Sequence, residues 1–166
     1  MSEFKKETTL PVFVKPHSKF KGFPSGVIRN ASSRKELFNT TYDNKPLDQD
    51  MIVMTSEVVD MLSEYRCFVK KGELVGIKHY QGDHTIFPKI EIIESAISDF
   101  RSAPYAYSLD FAVTRQTYTI GGTFGVKRTT ELIEAQDMWS IGPYGLSPDI
   151  YVSLLKTRWF EIFKNK

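Results

Sequence analysis

The chain has 166 residues, 41% of them hydrophobic and 25% charged, with a net charge of +2. These values fit a folded chain with a sizeable core and give no case for a nucleic-acid coat or a membrane surface. The one cysteine, Cys67, excludes an internal disulfide, and the three histidines show no metal-ligand spacing. No segment approaches the roughly 20 apolar residues of a membrane helix, and the polar Met1–Thr9 start is not a secretory signal. The expected setting is therefore reducing and cytoplasmic.

Residues 1–10 read as a flexible tail. Val12, Phe13 and Val14 form a short apolar strand ending at Lys15-Pro16. A Gly-, Pro-, Ser- and Lys-rich loop runs from His17 to Gly26, and Val27-Ile28 resumes a strand. The polar stretch 30–50 reads as an exposed connection that ends a small N-terminal lobe over 11–50 and precedes a larger lobe over 51–166. Met51–Met54 reads as a buried strand. Ser56 reads as the cap of a short helix over Glu57–Leu62.

Runs 65–71 and 73–80 flank Lys71-Gly72, a hairpin signal. Cys67, inside an apolar run, reads as a buried small residue. Ile93, Ala96, Ile97 and Phe100 recur at helical spacing over Pro88–Phe100. Tyr105–Thr114 alternates between a large-residue face (Tyr105, Tyr107, Leu109, Phe111, Val113) and a small-residue face that carries Asp110. Gly121-Gly122 marks a hairpin, and Thr129–Asp137 is a further strand. Ser147-Pro148-Asp149 opens the last helix, and Trp139, Tyr144 and Trp159 near it read as core. Strands dominate, so the expected class is α+β, with helices on one face of a mainly antiparallel sheet and two small lobes.

Three clusters carry potential chemistry. Lys15 ends a strand beside a loop with Lys19, Lys21, Gly22 and Gly26, a combination suited to phosphate. Arg66 enters the Lys71-Gly72 hairpin and Lys78 returns from it. An odd loop count puts the two on one face, and an even count puts them on opposite faces. Asp110, and Glu134 with Gln136 two residues apart, can present hard oxygen ligands of the kind Mg²⁺ takes. Ordinary solvated charges are the plain alternative for each cluster.

The segments FVKPHSKFKGFPSGVI (13–28), SEYRCFVKKGELVGIKHYQG (63–82), PYAYSLDFAV (104–113) and ELIEAQDMWSIGPYGL (131–146), in that order, resemble the ATP-grasp superfamily. The likeness is strongest to its phage and bacterial clade marked by an arginine and two lysines. The resemblance implies ATP and Mg²⁺ as cofactors. It implies phosphate contacts from Lys15 and Lys21, ribose contact from Glu57, and Arg66 and Lys78 facing the transferred phosphate and a substrate carboxylate. It implies metal ligation by Asp110, Glu134 and Gln136.

The implied reaction is carboxylate–amine ligation through an acylphosphate, on a small-molecule or peptide carboxylate. Position 136 departs from the family's usual asparagine, and the family's N-terminal domain has no counterpart before Lys15. Two expectations follow from that: a partner protein or second copy completing the site, or a nucleotide-binding interaction protein without ligase activity. A membrane has no part in either expectation, and a nucleic acid is the least favoured partner.

Overall fold

The computed structural model describes residues 9–17, 23–39, 51–139 and 141–164. The sequence expectations for the 1–8 tail, most of the 17–26 loop and the polar 40–50 stretch lie outside them. The chain divides into two compact units, Met1–Val59 and Asp60–Lys166.

In the first unit, β1 (Val12–Pro16) is flanked by β2 (Gly26–Ile28) and β3 (Val53–Ser56), all antiparallel. Val12 and Val14 turn inward onto Phe23 and Ile28, which puts Phe13 and Lys15 on the opposite face of the strand. Helix α1 (Ala31–Asn39) stands where an exposed connection is expected. Its start is reciprocally capped: the Asn30 side-chain oxygen accepts the Ser33 N–H, and the Ser33 hydroxyl accepts the Asn30 N–H.

Two further expectations are corrected here. The 51–54 run is not a buried strand: β3 starts two residues later, and Ile52 and Met54 are 70% and 47% exposed. No helix follows Ser56, which ends β3; the chain enters β4 (Asp60–Lys70) instead. There Asp60 and Met61 pair with Arg115 and Thr114, and cross-strand pairing outweighs a lone cap before the β-branched Val58-Val59.

The second unit holds a four-stranded antiparallel sheet, in the order β5 (Glu73–Gly82), β4, β6 (Ala106–Ile120), β7 (Thr123–Asp137). Cys67, Val69, Tyr107, Leu109 and Phe111 form one buried face, covered by Ile93 of α2 (Ile90–Asp99). Burial pushes the Cys67 thiol up to about 12, so it behaves as the small apolar residue its context implies. On the other face, Phe68 and Ala106 pack with Met138, Ile141 and Leu146 against Leu154 of α3 (Pro148–Lys164). The Ser147 hydroxyl accepts the Ile150 N–H at the start of α3. Antiparallel sheets with packed helices make the fold α+β, as the strand-rich pattern implies.

Pairing of β4 with β6 ends at Asp60↔Arg115, while β6 and β7 run on together to Ile120↔Thr123 around Gly121-Gly122. The last stretch is a two-stranded ribbon with Ile120 and Phe124 exposed. Among the described residues no helix is long and apolar enough to cross a membrane.

Candidate functional site

Register across the second sheet decides which side chains meet. The β4–β5 turn has only two residues, since Lys70 pairs with Glu73. By alternation alone, that even count would send Arg66 and Lys78 to opposite faces. A bulge between the Phe68↔Gly76 and Val69↔Leu74 pairs leaves Val75 unpaired and restores the phase. Arg66 therefore stands directly opposite Lys78. On its other side Arg66 pairs with Asp110, and Asp110 pairs with Glu134. Lys78, Arg66, Asp110 and Glu134 thus form one row across all four strands, two cations beside two carboxylates. Gln136 lies on the same face one step along, opposite Ser108.

The centre of the row is dry. The Arg66 and Asp110 side chains are 7% and 5% exposed, and the guanidinium donates to both carboxylate oxygens: Nε to Oδ1 at 2.8 Å and Nη2 to Oδ2 at 2.6 Å. The hydrogen bond to Asp110 raises the Arg66 pKa, against a smaller opposing effect of burial. The Gln136 amide nitrogen donates to Asp110 Oδ2 at 3.1 Å and to Glu134 Oε2 at 2.8 Å. Lys78 has no hydrogen-bond or ion-pair partner among the described residues. The Ser108 hydroxyl is buried and likewise without a partner.

Two tyrosines cover the guanidinium face. Tyr80 is the extra residue of a second bulge, between His79↔Tyr65 and Gln81↔Glu64, and its hydroxyl donates to Glu64 Oε2 at 3.0 Å. Burial, aided by the charges of Asp110 and Glu64, pushes the Tyr80 phenol well above its ordinary value, so it remains a donor. Tyr144 stacks on Tyr80 with centroids 5.0 Å apart. The Arg66 guanidinium carbon lies 5.8 Å from the Tyr80 centroid and 5.1 Å from that of Tyr144.

Tyr144 occupies a tight turn, Pro143–Leu146, closed by the Leu146 N–H donating to the Pro143 carbonyl at 2.8 Å. Its φ of 44° and the 81° of Gly145 are left-handed, a conformation tyrosine seldom adopts. Leu146 anchors the turn by filling the space over Gly76, where a Cβ would collide with its Cδ1.

Of the residues singled out in the sequence, the second unit brings Arg66, Lys78, Asp110, Glu134 and Gln136 together. Lys15 lies on β1 opposite Met54, and Glu57 is exposed just after β3, both in the first unit. Lys19 and Lys21 lie outside the described residues. Sequence reading missed Tyr80 and assigned Tyr144 to the core, whereas it is 44% exposed, as are Trp139 and Trp159 at 37% and 51%. The available signal for Tyr80 was its place two residues beyond Lys78, on the same side of the strand.

A family model described as an ATP-grasp domain, the second family of the clade marked by an arginine and two lysines, matches residues 1–154, and the chain belongs to that ATP-grasp family. No curated protein matches the chain. ATP-grasp domains bind ATP and typically Mg²⁺, which poses the question of whether this row suits the ion. Among the described residues no three His, Cys, Asp or Glu side chains gather closely enough to hold a metal alone. Mg²⁺ does not require that: one or two carboxylates plus phosphate oxygens suffice. The Gln136 amide nitrogen sits between Asp110 Oδ2 and Glu134 Oε2 as a proton donor bridging two acceptors. Two carboxylates converge there on one positive pole, and the donor set, two carboxylates and an amide, fits a hard cation.

Proposed function

We propose that the chain is an ATP- and Mg²⁺-dependent ligase that joins a carboxylate to an amine through an acylphosphate. The reading is supported above all by the in-register row Lys78–Arg66–Asp110–Glu134, which puts two cations beside two carboxylates on one face. Asp110, Glu134 and the Gln136 amide would hold Mg²⁺, which when bound neutralises phosphate charge. Lys15 and Lys21 would contact the ATP phosphates, and Glu57 the ribose hydroxyls. Arg66 and Lys78 would face the transferred phosphoryl group and the substrate carboxylate. Lys78, with no carboxylate engaging its ammonium among the described residues, has its charge to offer.

In the first step a carboxylate oxygen bonds to the γ-phosphorus and the bond to ADP breaks. In the second step an amine attacks the acyl carbon, loses a proton and expels phosphate. The protein's share is alignment and charge compensation in a water-poor site. Removing one such contact costs about 10²–10³ in rate. The test is phosphate release from ATP and Mg²⁺ across panels of carboxylates and amines. Release with any pair, lost in Asp110→Asn, supports the reading. ATP binding with no release from any pair would reject ligation.

A second reading, a nucleotide-binding interaction protein without ligase activity, draws on the β6–β7 ribbon. Tyr118, Ile120, Phe124 and Val126 are exposed there, beyond the reach of β4. Substrate-dependent phosphate release removes that reading.

A further inference from the structure

We propose that Arg66 is the resident cation of the Asp110 carboxylate, so that loading a divalent ion and releasing the arginine are one exchange. The inference rests on the metal assignment made above and concerns how this chain's own residues admit the ion. Three protein donors already occupy Asp110. Oδ1 accepts from Arg66 Nε at 2.8 Å, and Oδ2 accepts from Arg66 Nη2 at 2.6 Å and from Gln136 Nε2 at 3.1 Å. Oδ2 therefore has both lone pairs spent. With both side chains under a tenth exposed, water cannot share the carboxylate. A hard cation approaching Asp110 must displace the guanidinium from at least one oxygen.

Gln136 is committed in the same sense. Its nitrogen faces both carboxylates, which turns its oxygen away from them. Ligation by this residue requires the amide to rotate so that the oxygen replaces the nitrogen. Glutamine's extra methylene gives it the reach to span Asp110 and Glu134. A displaced Arg66 has a second seat, because the Tyr80 and Tyr144 rings already lie within 5.8 Å and 5.1 Å of its guanidinium. They hold its charge by cation–π attraction while Asp110 changes partner.

Charge sets the order of events. The row of Lys78, Arg66, Asp110 and Glu134 is neutral as it stands, so a lone divalent ion leaves it doubly positive. A metal–triphosphate brings its own negative charge. The ion is therefore expected to enter well only with nucleotide, and the freed guanidinium then finds phosphate oxygens in place of Asp110.

The experiment is a Mn²⁺ titration followed by electron paramagnetic resonance on the protein without nucleotide, since carboxylate and amide oxygens accept Mn²⁺ as they do Mg²⁺. Arg66→Met should bind Mn²⁺ at least about tenfold more tightly than the unaltered chain, because a charge-assisted competitor is gone. Equal or weaker binding by Arg66→Met overturns the exchange while leaving the metal assignment intact. Absence of Mn²⁺ binding in both proteins, with or without a non-hydrolysable ATP analogue, overturns the metal assignment as well. A second measurement covers failure of the variant to fold. In the unaltered chain the Arg66 Nε–H resonance should shift when Mg²⁺ and the analogue are added together. A resonance unmoved at saturating analogue and Mg²⁺ refutes the exchange.

Discussion

The Arg66–Asp110 pair gives a stability prediction whose size follows from its burial. Asp110→Ala deletes a carboxylate that accepts two guanidinium hydrogen bonds at 2.8 and 2.6 Å. What remains is a cation whose side chain is 7% exposed. Breaking a buried pair from one side costs about 3–5 kcal/mol, chiefly through the stranded charge. The two tyrosine rings return on the order of 1 kcal/mol of that, so a net loss of about 2–4 kcal/mol is expected. Removing both charges in Arg66→Met/Asp110→Ala strands nothing and should fall within about 1 kcal/mol of the unaltered protein. Urea unfolding followed by circular dichroism, closed as a double-mutant cycle, reads the coupling directly. If the double variant is as unstable as Asp110→Ala, or if Asp110→Ala costs under about 1 kcal/mol, the pair is not the dry, mutually dependent contact described here.

Tyr144→Asn should separate ring from backbone: asparagine tolerates the left-handed turn, so stability changes by less than about 1 kcal/mol. Loss of the cation–π face should weaken ATP binding about 2–5-fold in calorimetry, and unchanged affinity would make the ring a bystander. Gly82→Ala should be among the most damaging single changes. Residue 82 has φ +82°, and a Cβ there would strike the Leu62 carbonyl. A loss of about 2–3 kcal/mol in thermal unfolding is expected.

Asp137 supplies a pH dependence. Hydrogen bonds from Arg158 pull its carboxyl below the ordinary 3.8, so the unfolded chain takes up the proton first as pH falls. Its stabilisation is complete above that ordinary value and is lost as pH drops through the lower folded value. The stability gap between the unaltered chain and Asp137→Asn should therefore close below about pH 4. A gap that widens on acidification would contradict the assignment.

Much of the site was legible because a strand's alternation is a two-state code. The small-residue face of Tyr105–Thr114 correctly placed Asp110 away from the aromatic core, and the spacing of Glu134 and Gln136 correctly gave them a shared face. What stayed hidden was phase. The unpaired residues Val75, Tyr80 and Ile133 each shift register by one position, and a bulge is set by both strands together, so one strand's pattern cannot reveal it. The Arg66–Lys78 question, posed as loop parity, was answered by the Val75 bulge between the turn and Lys78. Tyr144 escaped notice for a related reason, since its ring is aimed by a strained turn that Leu146 anchors on a distant glycine. In the first unit, the Asn30–Ser33 cap of α1 was present in the sequence but hidden among polar neighbours. Ser56 offered a cap with no helix behind it, and pairing with β6 prevailed.

Binding of Mg-ATP, with Lys15 and Glu134 among its contacts, underlies the whole functional reading, and calorimetric titration of ATP probes it without an intermediary. The unaltered chain should bind ATP measurably with Mg²⁺ present and poorly with chelator. Affinity should fall about tenfold or more in Lys15→Ala and in Glu134→Ala, as expected for losing a charge-assisted contact. No ATP binding by the folded, unaltered chain in Mg²⁺, or binding indifferent to both substitutions, would contradict that reading.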